Sequence, residues 1–126
     1  MSLIIEIQQF NREWVEEAHP LFLDHYKEID TYQDIPLDPD YEKYIMLEEA
    51  GKLLTLTARY NGELIGYVIY MIDNALHYED SLQAHQYTLF VKKDKRKSLL
   101  GCGFILLKQS EKILKDMGVQ IVYQHL

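Results

Sequence analysis

Cysteine, positive charge and long apolar runs are all scarce in this chain, and each scarcity excludes something. One cysteine among 126 residues, Cys102, cannot close an internal disulfide, so nothing points to an oxidising compartment. No apolar stretch approaches the roughly 20 residues that a membrane helix needs, so no membrane partner is expected. The N-terminus lacks a signal-peptide pattern, because Ile4-Ile5 is followed at once by Glu6, and the cytoplasm is the expected location. Thirteen Lys and Arg stand against 20 Asp and Glu, a formal net charge of −7. Such an acidic body argues against nucleic acid as the main partner. No repeat, low-complexity tract or Gly/Ser linker divides the chain, and its length suits one domain over residues 1–126 with a real core.

What is present is concentrated. Lys92, Lys93, Lys95, Arg96 and Lys97 fall within six positions and run into Ser98-Leu99-Leu100-Gly101-Cys102-Gly103. A strand-like run ends at Val91 and a helix-like run begins near Gly103. Strand, positive loop with small residues, helix is how a chain builds a pocket for phosphates: glycines let the backbone approach an anion, and the helix N-terminus offers free N–H groups. The loop lacks the G-K-[ST] ending of a P-loop, which argues against a nucleotide-binding protein of that type. A DNA-binding reading would need a second positive face, and none is visible.

Around this segment the pattern reads as β-α-α-β-β-β-α-β, an α+β domain with a mixed sheet. Leu3–Gln8 alternates as a first strand, and Asn11 caps a helix carrying Trp14, Ala18, Leu21, Phe22 and Tyr26. Pro20 is expected to kink that helix or split it. Residues Glu28 to Asp40 form an irregular acidic loop broken by Pro36 and Pro39, before a second helix that Gly51 stops. Leu53–Tyr60 and Leu64–Ile72 form a hairpin about a type I′ turn at Asn61-Gly62, and Gly66 marks a bulge or a close approach. Asp73–Asp80 reads as a loop and Leu82–Val91 as a strand. A long helix then places Leu106, Leu107, Ser110, Ile113, Leu114 and Met117 on one face, and Gly118 ends it. Val119–Tyr123 should lie parallel to the preceding strand after this crossover. Ten tyrosines are many for this length; some could line a groove, although half-buried core positions are the plainer account.

This order, with a glycine turn opening the helix after the central strand, resembles the GNAT N-acetyltransferases. The family signature Q/R-x-x-G-x-G/A is met at Gly101 and Gly103, while Ser98 stands in the Q/R position; Arg96 takes that role if the loop is two residues longer. Tyr60-Asn61-Gly62-Glu63-Leu64-Ile65-Gly66-Tyr67 is similar to the family's hairpin. The stretches Leu76-His77-Tyr78 and Asp80-Ser81-Leu82-Gln83-Ala84 resemble GNAT-like proteins of bacteriophages. The resemblance implies an acyl-CoA N-acyltransferase fold and an acetyl-CoA donor, with no metal. It implies that backbone N–H groups of Leu99, Leu100, Gly101, Cys102, Gly103 and Phe104 hold the pyrophosphate, that Lys95, Arg96 and Lys97 contact the pyrophosphate or the ribose phosphate, and that Ser98 lies in the same cofactor site. The pantetheine arm would pair with the edge at Leu89, Phe90 and Val91. His85 takes the position of the family's base, with Tyr87 two residues on along the strand; histidine can accept a proton near neutral pH. A polar side chain at a strand start is the plain alternative for His85. Oxyanion stabilisation would come from a backbone N–H near Val91, and the proton donor to the thiolate is unassigned. Cys102 is read as a small space-filling side chain rather than a nucleophile.

The family normally continues past the last strand seen here, so a truncated chain is expected, or a partner subunit (a homodimer) that supplies the missing cover. The acidic residues Glu28, Asp30, Asp34, Asp38 and Asp40 would flank the acceptor, a small-molecule or protein amine, although a solvated loop accounts for them too. His77 and Tyr78 are candidate rim residues. Two functions remain open at this level: transfer of an acetyl group to a primary amine by direct attack, or a non-catalytic GNAT-like module that binds CoA or a protein.

Overall fold

A computed structural model describes residues 3–29, 41–75, 78–98 and 101–124. Among them five strands form one mixed sheet in sequence order: β1 (Leu3–Gln8), β2 (Leu53–Tyr60), β3 (Glu63–Ala75), β4 (Tyr78–Val91) and β5 (Val119–Tyr123). The first three pairings are antiparallel, and β5 lies parallel to β4 as the crossover rule requires. The α+β class read from the sequence is the class observed.

Helices α1 (Arg12–Ile29) and α2 (Tyr41–Glu49) cover one sheet face. Their core packs Phe10, Trp14, Ala18 and Leu21 on Leu53, Leu64, Tyr67, Ile69 and Phe90. Helix α4 (Cys102–Asp116) covers the other, setting Leu106, Leu107 and Leu114 on Leu56, Val68, Tyr70, Ala84 and Val91. Because both faces are covered, β2 is buried at six consecutive positions, Leu53 to Ala58. Within the α4 stripe Ser110 is satisfied by donating to the Leu106 carbonyl at 2.6 Å, while Met117 is 45% exposed rather than part of the core.

Local chemistry explains most boundaries. Asn11 Oδ1 accepts from the Trp14 N–H at 2.9 Å and caps α1. After α2, Lys52 N–H donates to the Leu47 carbonyl and Gly51 N–H to that of Glu48, a Schellman stop with Gly51 at φ 73°. Asn61 and Gly62 both have positive φ, as a type I′ turn demands.

Three expectations are corrected. Of the two outcomes expected at Pro20, the split does not occur, and α1 runs as one helix of 18 residues. A proline costs one helical hydrogen bond, but the buried stripe of Trp14, Ala18 and Leu21 spans it and holds the helix against the sheet. The loop expected at Asp73–Asp80 is mostly ladder: Asp73 pairs with Gln83, Asn74 with Leu82 and Ala75 with Tyr78, cross-strand partners overriding a polar composition. Thirdly, the basic run is no loop. Lys93–Ser98 is a short helix, α3, whose Lys95 and Arg96 N–H groups donate to the Lys92 carbonyl at 2.9 and 3.2 Å. Lys and Arg are good helix formers, and no Gly or Pro interrupts them there.

Candidate active site

The site grows from an irregularity in β4. Ile69 pairs with Thr88 and Tyr70 with Gln86, so Tyr87 is an extra residue, a β-bulge. Before it, Ala84 faces α4; after it the faces are exchanged, with Phe90 in the α1/α2 core and Val91 in the α4 core. β5 pairs with β4 only over Leu82–His85. Among the described residues, no strand pairs with the β5-side edge of β4 from Tyr87 to Val91. Lys92 N–H donates to the Ile65 carbonyl at 2.7 Å, so by alternation Leu89 and Val91 turn their own backbone groups toward that open edge.

The edge leads directly to a helix terminus. Gly101 sits at the N-cap of α4 with φ 86°, a conformation that suits glycine, and no side chain caps this end. The first helical bond runs from Ile105 N–H to the Gly101 carbonyl at 2.8 Å. The N–H groups of Cys102, Gly103 and Phe104 therefore precede the intrahelical pattern and point outward at the positive end of the dipole. A Cβ added to Gly103 would lie 3.9 Å from Leu89 Cδ2, an ordinary contact, so the helix terminus adjoins the strand edge.

The basic side chains divide. Arg96 Nε donates to the Val91 carbonyl at 2.7 Å and its guanidinium lies 5.3 Å from the Phe90 ring centre. Arg96 thus holds the end of the edge strand. Lys95 lies over Tyr60, and Lys92 is 4.0 Å from Glu63. The side chains of Lys97 and Ser98, and residues Leu99 and Leu100 altogether, lie outside the described residues. So do Asp30, Asp34, Asp38, Asp40 and His77, with the side chains of Glu28 and Tyr78.

The two expected catalytic residues share a face. His85 pairs with Met71, between Tyr70 and Ile72 of the α4 core, so both turn to the α1/α2 side. Tyr87, 56% exposed, meets Tyr44 of α2 edge-on at 5.8 Å. Burial, with Tyr87 and Tyr41 nearby, pushes the Tyr44 phenol up to about 12, so it stays protonated. His85 is exposed and stacks on Tyr123 of β5, rings 4.6 Å apart and 6° from parallel. Tyr123 is half exposed, and its partnership with His85 follows from their opposition across the parallel pair.

One residue was missed by sequence reasoning. His25 of α1 places Nδ1 3.0 Å from the Tyr67 hydroxyl and 3.2 Å from Thr88 Oγ1, and its ring stacks on Phe90 at 4.9 Å. Its position, seven after Ala18 and four after Leu21, puts it on the buried stripe. That spacing was the available signal. Tyr67 is 1% exposed, and burial raises its phenol well beyond the ordinary range.

Cys102 is 2% exposed, and burial raises its thiol. A thiol reagent should label the native protein slowly and the urea-unfolded protein fast; rapid labelling of the native state would contradict this burial. Among the described residues no group of three or more His, Cys, Asp or Glu could hold a metal ion, and no helix is long and apolar enough to cross a membrane.

The acetyltransferase (GNAT) family profile matches residues 9–126. No curated protein matches by sequence. Among solved structures, an aminoglycoside acetyltransferase from an uncultured soil metagenomic sample, in complex with sisomicin, superposes with TM-score 0.75 at 18% identity, over 98% of this chain and 77% of that one. A ribosomal-protein-alanine N-acetyltransferase from Brucella melitensis gives 0.74 at 16% identity, covering 99% and 80%. AAC(6')-Iy in complex with a CoA bisubstrate analogue gives 0.69 at 16% identity, covering 100% and 80%. At these identities the likeness concerns the fold.

Proposed function

This chain belongs to the acetyltransferase (GNAT) family, and from that premise we propose that it moves an acetyl group from acetyl-CoA to a primary amine by direct attack. The observation that carries the reading is an edge of β4 with no neighbouring strand, running into a helix terminus with no side-chain cap, with Leu89 and Gly103 adjacent. A pantetheine amide can extend the sheet along Leu89 to Val91, with Phe90 holding the strand to the core. An anionic pyrophosphate suits the N–H groups of Leu99 to Phe104 and the charge of Arg96 and Lys97.

His85 takes a proton from the incoming ammonium, with Tyr87 beside it on the same face, and the amine nitrogen then bonds to the thioester carbon as the carbon–sulfur bond breaks. An edge N–H near Val91 stabilises the developing oxyanion. The nitrogen sheds its second proton to solvent as the amide forms, and the departing thiolate takes one proton from solvent to leave as the free thiol. The acceptor is a small-molecule or protein amine, as the relatives acetylating aminoglycosides or a ribosomal protein suggest. A single domain over residues 1–126, a cytoplasmic location, kinship with phage-encoded members and homodimer formation complete the proposal and rest on sequence features alone.

Calorimetric titration with acetyl-CoA tests the donor, and thiol release across an amine panel tests transfer. Gly103→Ala gives a sharper outcome. The fold has room for the methyl group, so thermal stability should stay unchanged while acetyl-CoA binds about tenfold more weakly, because the methyl occupies the path of the pyrophosphate. No heat with millimolar acetyl-CoA, or wild-type affinity in the variant, would overturn the placement of the donor.

A further inference from the structure

We propose that His25 is a positioning residue that fixes the bulged register of β4 and thereby the strand edge offered to the acyl donor; this rests on the acetyltransferase reading. The extra residue Tyr87 exchanges the faces of Thr88 to Val91, so the location of the bulge decides which side chains point to which core. A slip of one residue would return Thr88 to the α4 side.

Three contacts from one side chain oppose that slip. His25 Nδ1 reaches Thr88 Oγ1 at 3.2 Å only because Thr88 faces α1, and the same nitrogen meets the Tyr67 hydroxyl at 3.0 Å. The imidazole face lies on Phe90, two residues along, at 4.9 Å and 21°. Tyr67 and Phe90 are themselves paired across β3 and β4. His25 thus ties α1 to both strands at the stretch where Leu89 and Val91 turn their backbone groups outward. Arg96 anchors the far end of the same stretch through the Val91 carbonyl. The edge between these two anchors is held at one height relative to the α4 terminus, which lowers the ordering cost of adding a ligand along it.

Three variants separate anchoring from packing. His25→Leu keeps apolar bulk but removes the nitrogen; Thr88→Val is isosteric and removes the hydroxyl; His25→Asn keeps a hydrogen-bonding atom near the position of Nδ1. We expect both His25→Leu and Thr88→Val to bind acetyl-CoA about tenfold more weakly, and His25→Asn to recover to within about twofold of the wild type. In the ligand-free protein, amide exchange of Thr88 and Phe90 should quicken at least about tenfold in His25→Leu and Thr88→Val, with the β1–β2 amides unchanged. Wild-type acetyl-CoA affinity in both, or no recovery with asparagine, overturns the proposal. If the wild type itself does not bind acetyl-CoA, the acetyltransferase reading fails first. Amide exchange then decides the register role alone, and unchanged exchange at Thr88 and Phe90 overturns it.

Discussion

Gly66→Ala should lower folding stability by about 2–3 kcal/mol and weaken acetyl-CoA binding with it. A Cβ at Gly66 would lie 2.8 Å from the Phe90 carbonyl oxygen and 3.3 Å from Val91 Cα. Both are backbone atoms of the neighbouring strand, so no rotamer change relieves the overlap. The β3–β4 ladder would have to open at its end. The glycine is also tied to a bulge: Ala58 pairs with Gly66 but Arg59 with Leu64, which leaves Ile65 as the extra residue of β3. The end of β4 that must move is the stretch carrying the outward backbone groups of Leu89 and Val91. Stability and donor binding should therefore fall together. In Gly103→Ala they should separate. Urea unfolding checks the first effect through a lower midpoint at constant slope, and an unchanged midpoint would mean that β4 yields without cost.

His85→Ala should reduce turnover by about 10²-fold while leaving acetyl-CoA affinity within about twofold of the wild type. His85 lies three residues before Thr88, ahead of the bulge and off the proposed donor edge, so its loss removes no contact to the pantetheine arm. The parallel stack on Tyr123 fixes the ring plane of an exposed side chain. Tyr123→Ala should free the ring and lower turnover less than His85→Ala does. Tyr123→Phe should behave as the wild type if stacking alone matters. Steady-state rates with an accepted amine decide, and an unchanged rate in His85→Ala removes this residue from the mechanism.

The amino-acid sequence by itself determined what depends on near neighbours. Asn61-Gly62 dictates its turn because both residues accept positive φ, and Gly51 and Gly118 end helices for the same reason. The stripe of Leu106, Leu107, Ser110 and Leu114 fixes which face of α4 is buried, and the strand–helix–strand order fixes a parallel β5. The glycine turn at Gly101 and Gly103 was legible as the start of a helix, and α4 begins there. Only the tertiary structure decided the rest. Alternation read along β4 sets Leu89 to Val91 on the wrong faces, because the Tyr87 bulge exists only in relation to Ile69 and Tyr70. The basic run is a helical turn whose Arg96 holds the end of a strand, and α1 tolerates Pro20 because the core beneath it is continuous. His25 meets Tyr67 and Thr88 across 42 and 63 residues of chain. Dihedral preferences and periodicity are local properties of a chain, whereas register and buried hydrogen bonds belong to pairs of segments that meet only when it folds.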